Sequence, residues 1–251
     1  KAYFSNLRVW GFQYSPEAPR LLRALTARNV WIVLGTVCLV GVAAGLRMSS
    51  LRARVLTSVA IFGLTGIPLE ILLVFSFQVL FGYVYAKLGL LLTLFMMGLA
   101  LGSLTMTHYP RDEASVLRTL LLVQAALGVF CLTLIPVVTY LHGRPEASLQ
   151  HLFNRETLSL VSLAAGFLGG THFPLANRLL LAERTQVGRT AGALYAFDLV
   201  GSTLGSLLVG LVLIPVVGVV QSLVVLALLN GTAVLVLTSG MRQREASLPE
   251  T

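Results

Sequence analysis

The stretch GLTGIPLEILLVFSFQ, Gly63 to Gln78, decides what kind of protein this is. Glu70 is its one charged residue, and no other charge falls between Val55 and Phe81. A run of that length crosses a bilayer core, which takes roughly 20 residues at about 1.5 Å of rise each. An acid inside hydrocarbon is costly, so it is expected to face the bundle, paired, protonated or bound to a ligand.

The rest of the chain agrees. Of 251 residues, 56% are hydrophobic and only 11% charged, against roughly a quarter charged in soluble domains. The mean hydropathy is +0.86. These values fit an all-α integral membrane protein. The net charge of +8 comes from bases at the ends of apolar blocks, which points to topology and lipid headgroups. No basic stripe with interleaved aromatics is present, so no nucleic-acid partner is expected. Cys38 and Cys131 both lie in apolar blocks and read as packing residues. The chain opens on Lys1 rather than Met, which suggests a processed product or the back part of something longer.

Seven apolar blocks reach spanning length: 29–46, 55–81, 88–108, 117–141, 157–178, 191–216 and 218–239. The resulting division is an exposed amphipathic or linker segment (1–28), a first span with a basic loop (29–54), a first membrane unit (55–141), a loop (142–156), a second membrane unit (157–240) and a polar tail (241–251). Ten arginines, including Arg47, Arg111, Arg178 and Arg242, fall on one side of this arrangement, against Lys87, Arg144 and Arg155 on the other. The positive-inside rule places the first side in the cytoplasm. The five bases of residues 1–28 then lie outside, in conflict with that rule. A bacterial cytoplasmic (inner) membrane is the expected location.

Sliding the chain by 103 residues superimposes eleven identities over the 42 positions from Gly63 to Leu104. Gly63, Gly66, Gly98, Gly102 and Ser103 fall on Gly166, Gly169, Gly201, Gly205 and Ser206. Each unit holds three spans, an odd number, so a true repeat is inverted. Two inverted three-helix repeats plus one extra helix is therefore the expected architecture, with any site at the repeat interface. The alternative is that small-residue packing motifs simply recur. In GLALGS and GSTLGS, Gly98, Gly102, Ser103, Gly201, Gly205 and Ser206 are expected to let backbones approach closely, with the serines bonding across.

The candidate ligand or proton site gathers Glu70, Gln78, His172, Tyr195 and Asp198. Gln78 is about two turns beyond Glu70 on the same face, and Tyr195 precedes Asp198 by three positions. His172 lies at a depth similar to Asp198, so a His172–Asp198 contact is expected. A structural, hydrogen-bonded role for these groups stays open. A b-type haem between His108 and His172 is disfavoured, because it needs facing helices and room for a macrocycle. No metal-ligand spacing, Walker loop, dinucleotide fingerprint or nucleophile motif occurs. No catalytic residue and no cofactor are assigned, and bound lipids are expected.

The stretch GIPLEILLVFSFQVLFGYVYAKLGLLLTLFMMGLALGS resembles spermidine-synthase-like transmembrane proteins, with the acid, the FQ…GYVY run and the LFM…GLALG run in order. GFLGGTHFP…ALYAFDLVGSTLGSLLVGLVLIPVVG resembles their second half, so the likeness covers about residues 55–230. It implies a membrane region often fused to a soluble aminopropyltransferase-like domain, and AYFSNLRVWGFQYSP resembles the link after such a domain. That would put residues 1–28 in the cytoplasm, against the charge count. No soluble stretch here is long enough for that domain and no glycine-rich nucleotide loop is present, so aminopropyl transfer is not assigned to these 251 residues.

Two functional expectations follow. One is a non-catalytic membrane subunit or anchor, docking a soluble synthase-like domain or a larger membrane complex such as a redox assembly. The other is a transporter-like module for a polyamine or other small cation, using Glu70 and Asp198.

Overall fold

The computed structural model describes residues 50–81, 85–107, 112–142, 155–181 and 187–245, with Ile32, Gly35, Thr36, Ala43 and Arg47 singly. Among the described residues there are six helices long and apolar enough to cross a membrane, and no strands. They are α1 (Leu51–Phe81), α2 (Tyr85–Thr107), α3 (Glu113–His142), α4 (Arg155–Leu181), α5 (Val187–Leu207) and α6 (Val219–Glu245). By length and apolarity this is a membrane protein. The span expected over 29–46 lies outside the described residues, apart from Ile32, Gly35, Thr36 and Ala43, which are helical. So do residues 1–28 and the loop 143–154.

Local chemistry sets several helix ends. Asp112 caps α3: its Oδ2 accepts from the Ser115 N–H at 3.0 Å and the Ser115 hydroxyl at 2.9 Å. Those two bonds hold the Asp112 carboxyl below its ordinary pKa. α5 runs on through a π-helical stretch (Leu208–Leu213) into a last α segment (Ile214–Val216), together one span, Val187–Val216. Pro215 has no N–H and would crowd the carbonyl four residues back, and the wider π turn relieves that strain. The span ends on Gly218, whose φ of 90° only glycine adopts readily. The Val217 and Gly218 N–H groups both donate to Leu213 O, at 2.9 and 3.0 Å, and α6 starts at once. Six of the seven expected spans coincide with described helices to within a few residues at each end.

The two most extensive helix contacts are α2 with α4 and α1 with α5. Glycine makes both. A Cβ on Gly98 would collide with Leu163 O and Phe167 N, and one on Gly201 with Ala60 O and Leu64 N. One on Gly102 would strike Phe167 O and Thr171 N, and one on Gly205 Leu64 O and Pro68 Cγ. In each case the second set of partners lies 103 residues before the first. Gly166 meets Phe95 O, and Gly63 meets Asp198 O, again at that spacing. Pro68 cannot donate to Leu64 O, which is left to face Gly205. The expected close packing of the glycine motifs is present, but the serine contribution is not. Ser103 and Ser206 form no cross-helix hydrogen bond among the described residues; the α2–α4 seam is instead bonded by Ser162 Oγ, which donates to Leu91 O at 3.0 Å.

α3 and α6 pack on each other and against α1 and α4. A buried amide pair joins them: Gln124 Nε2 donates to Asn230 Oδ1 at 2.7 Å, and Thr65 Oγ1 of α1 reaches the same oxygen at 3.4 Å. Asn230 Nδ2 donates to Leu226 O at 2.8 Å. A polar group in hydrocarbon needs such partners, and these bonds help fix how three helices register. Leu69, Leu72, Phe95, Leu134, Leu213 and Leu226 belong to the apolar cluster that fills one part of the bundle. Val59, Leu120, Leu175 and Leu194 belong to a second.

Candidate functional site

Where α1, α2, α4 and α5 meet, the glycine contacts leave a cavity of about 280 Å³. Its lining follows the 103-residue spacing. Phe62 and Ala165, Gly66 and Gly169, and Ile67 and Gly170 line it from α1 and α4. Phe95 and Asp198, and Leu99 and Ser202, line it from α2 and α5. These five pairs account for most of the wall. Within them the two sides differ in chemistry: α2 presents Phe95 and Leu99 where α5 presents Asp198 and Ser202.

Asp198 is the acid of this cavity. It is half-buried, and its carboxylate accepts no hydrogen bond among the described residues. Tyr195, one turn earlier on α5, also lines the cavity while 58% of its surface is exposed. Ser103 and Ser202 add hydroxyls, and Phe62, Phe95 and Phe173 add rings. An apolar chamber with one carboxylate and a few hydroxyls is built to hold and orient a small molecule. Among the described residues that line it, none pairs a nucleophile with a base.

Glu70 occupies a different place. It is only 6% exposed, as expected for an acid turned from lipid, and Oε1 has no hydrogen-bond partner among the described residues. It does not line the cavity. Gly63 sits on the Asp198 backbone, and Glu70 lies seven residues beyond it, about 10 Å along the axis at 1.5 Å per residue. Gln78 is half-buried, a further two turns on, and no hydrogen bond links it to Glu70.

His172 corrects the expected His172–Asp198 contact. The ring is fully buried, and Nε2 lies 3.3 Å from Ser58 Oγ on α1, with the donor set by the tautomer. It stacks on Phe62 at a centroid distance of 4.3 Å and an interplanar angle of 8°. Nδ1 has no hydrogen-bond partner among the described residues. Adjacent α1 residues explain the separation: Phe62 covers His172, whereas Gly63 packs on the Asp198 backbone. Similar depth on two helices does not bring side chains together when each faces a different neighbour. His108, the other half of the disfavoured haem pair, lies outside the described residues. No group of three or more metal-ligating side chains occurs among the described residues.

Tyr195 and Asp198, singled out by sequence, share this cavity, and Ser103, read as a packing residue, also lines it. Phe62, Phe95, Leu99 and Ser202 went unnoticed, although the 103-residue offset pairs Phe95 with Asp198 and Leu99 with Ser202. No family model, curated protein or solved structure matches the chain.

Proposed function

We propose that the chain is a transporter-like membrane module, built from two inverted three-helix repeats, with the ligand site in the cavity between them. Asp198 is the counter-charge for a small cation. The observation that carries this reading is the cavity wall: five pairs of lining residues, each 103 apart, one member holding a carboxylate with no hydrogen-bond partner among the described residues. The matched glycine contacts of the α2–α4 and α1–α5 seams support it as well. A chamber at the interface of inverted repeats is where such folds bind cargo, and seams without interlocking side chains permit one repeat to rock on the other. The spermidine-synthase-like resemblance is compatible with a cationic cargo. Glu70, outside the lining, serves as a buried structural or protonatable group.

The test is cation flux into proteoliposomes. Wild type dissipates an imposed gradient of a small organic ammonium ion, and Asp198→Asn abolishes this at equal reconstitution. Flux unchanged by Asp198→Asn, or absent from wild type, counts against the reading.

A second reading, a docking subunit of a larger membrane assembly, draws on one observation. Only 22% of the most apolar stretch of α2 and 28% of that of α5 are buried, leaving Leu92, Met96, Leu101, Leu199 and Leu204 exposed. Those faces meet lipid or partner helices. Mild detergent purification that recovers a stoichiometric partner supports this reading; a solitary, monodisperse chain speaks against it.

A further inference from the structure

We infer that the cavity takes a small organic monocation with an apolar, ring-compatible body, arriving from the bilayer past Tyr195, rather than a linear polyamine. This rests on the reading of the cavity as a ligand site. Among the described residues Asp198 is the only acidic one in the lining. A polyamine carries several ammonium groups along a flexible chain, and each one desolvated in an apolar chamber needs its own acceptor. Glu70 does not supply a second, since it is absent from the wall and about 10 Å further along α1 at 1.5 Å per residue. The hydroxyls of Ser103, Tyr195 and Ser202 satisfy one polar head, not several.

The rest of the wall describes the body of the ligand. Phe62, Phe95, Phe173 and Tyr195 offer rings, and ring faces attract a cation as well as apolar surface. Phe62 is held by its stack on the buried His172, so this ring is fixed before any ligand arrives. The volume of about 280 Å³ falls at the lower edge of ligand pockets, which limits the guest to a compact one. Tyr195 gives the route. It lines the cavity and is 58% exposed, on a span whose neighbouring residues Phe197, Leu199 and Val200 also face outward. A ligand with an apolar body partitions to that surface, and its charge travels past the tyrosine ring to Asp198.

Three probes separate the possibilities by equilibrium binding to the full chain in nanodiscs. Benzyltrimethylammonium is the monocation, neopentylbenzene its neutral carbon isostere, and spermidine the linear polyamine. The expected result is that benzyltrimethylammonium binds at least about tenfold more tightly than either of the others, because the neutral isostere has no charge to set against Asp198 and spermidine leaves further ammonium groups without an acceptor. Asp198→Asn lowers its affinity by about tenfold or more. Tyr195→Leu, at an exposed position that leaves the bundle intact, weakens it a few-fold through loss of the ring face and guards against an Asp198 variant that fails to fold. Spermidine binding as tightly as the monocation, with loss in Asp198→Asn, overturns the ligand class and leaves the cation site standing. Equal binding of the neutral isostere overturns both, as does no binding by any probe.

Discussion

The α2–α4 and α1–α5 seams share a backbone arrangement and differ in what they show the cavity. Gly98 lies on Leu163 and Phe167 as Gly201 lies on Ala60 and Leu64, and Gly102 on Phe167 and Thr171 as Gly205 on Leu64 and Pro68. Yet one turn from Gly98 the α2 seam presents Phe95, where the α5 seam presents Asp198. The difference separates two kinds of constraint. Main-chain contact between helices admits only glycine, so it is met the same way twice. The chamber wall tolerates any side chain of suitable size, so one half has a carboxylate and a hydroxyl while the other keeps an aromatic and an aliphatic group. The acids show the same asymmetry: Glu70 stands where the other unit has Phe173, and Asp198 where it has Phe95.

The comparison breaks most sharply at the glycines. Gly98→Val and Gly201→Val each force apart two backbones in direct contact, with a cost at or above the top of the ~1–3 kcal/mol range for overpacking. Both should give little folded protein by size-exclusion and thermal melting in detergent. Gly192→Ala and Gly210→Ala, where an added Cβ meets nothing within 4 Å, should be tolerated and are the controls. A large effect at Gly98 with none at Gly201 would show that the seams are not equivalent.

Next in size is Leu99→Ser, which gives the α2 side the residue that α5 has in Ser202. It removes an apolar group packed near Gly169 and should lower stability by about 2 kcal/mol, as for deletion of a largely buried leucine side chain. Affinity for an apolar-bodied cation should fall with it. Unchanged binding would mean that Leu99 is not part of the ligand's surroundings.

The smallest effect is expected at Glu70→Gln. This acid has an unpartnered oxygen among the described residues and stands outside the chamber, so a neutral isostere should leave ligand affinity unaltered and stability equal or slightly higher. A drop in ligand affinity matching that of Asp198→Asn would join the two acids functionally and remove the distinction drawn between them.

Much of this was legible in the sequence. The span positions follow from apolar runs, and the small-residue seams from GLALGS and GSTLGS. The 103-residue offset already contained the pairing of Phe95 with Asp198 that forms two sides of the cavity. What it did not contain was helix facing. A histidine and an aspartate at equal depth invite pairing, yet His172 turns to Ser58 and Phe62 on α1. The Gln124–Asn230–Thr65 clasp was missed for a similar reason, since three isolated polar residues far apart in sequence carry no periodic signal. Glu70 drew notice for its charge, but charge alone does not say which wall of a bundle a side chain meets.

The central claim, a scaffold of two equivalent seams around an inequivalent chamber, is tested most directly by pulsed electron–electron resonance between paired spin labels. One pair sits at Leu92 and Leu160, across the α2–α4 seam; the other sits at Tyr195 and Thr57, the positions 103 residues away across the α1–α5 seam. Matching distance distributions in lipid nanodiscs are the expected result. Two distributions with clearly separate means, in protein that is folded and monodisperse, would contradict it.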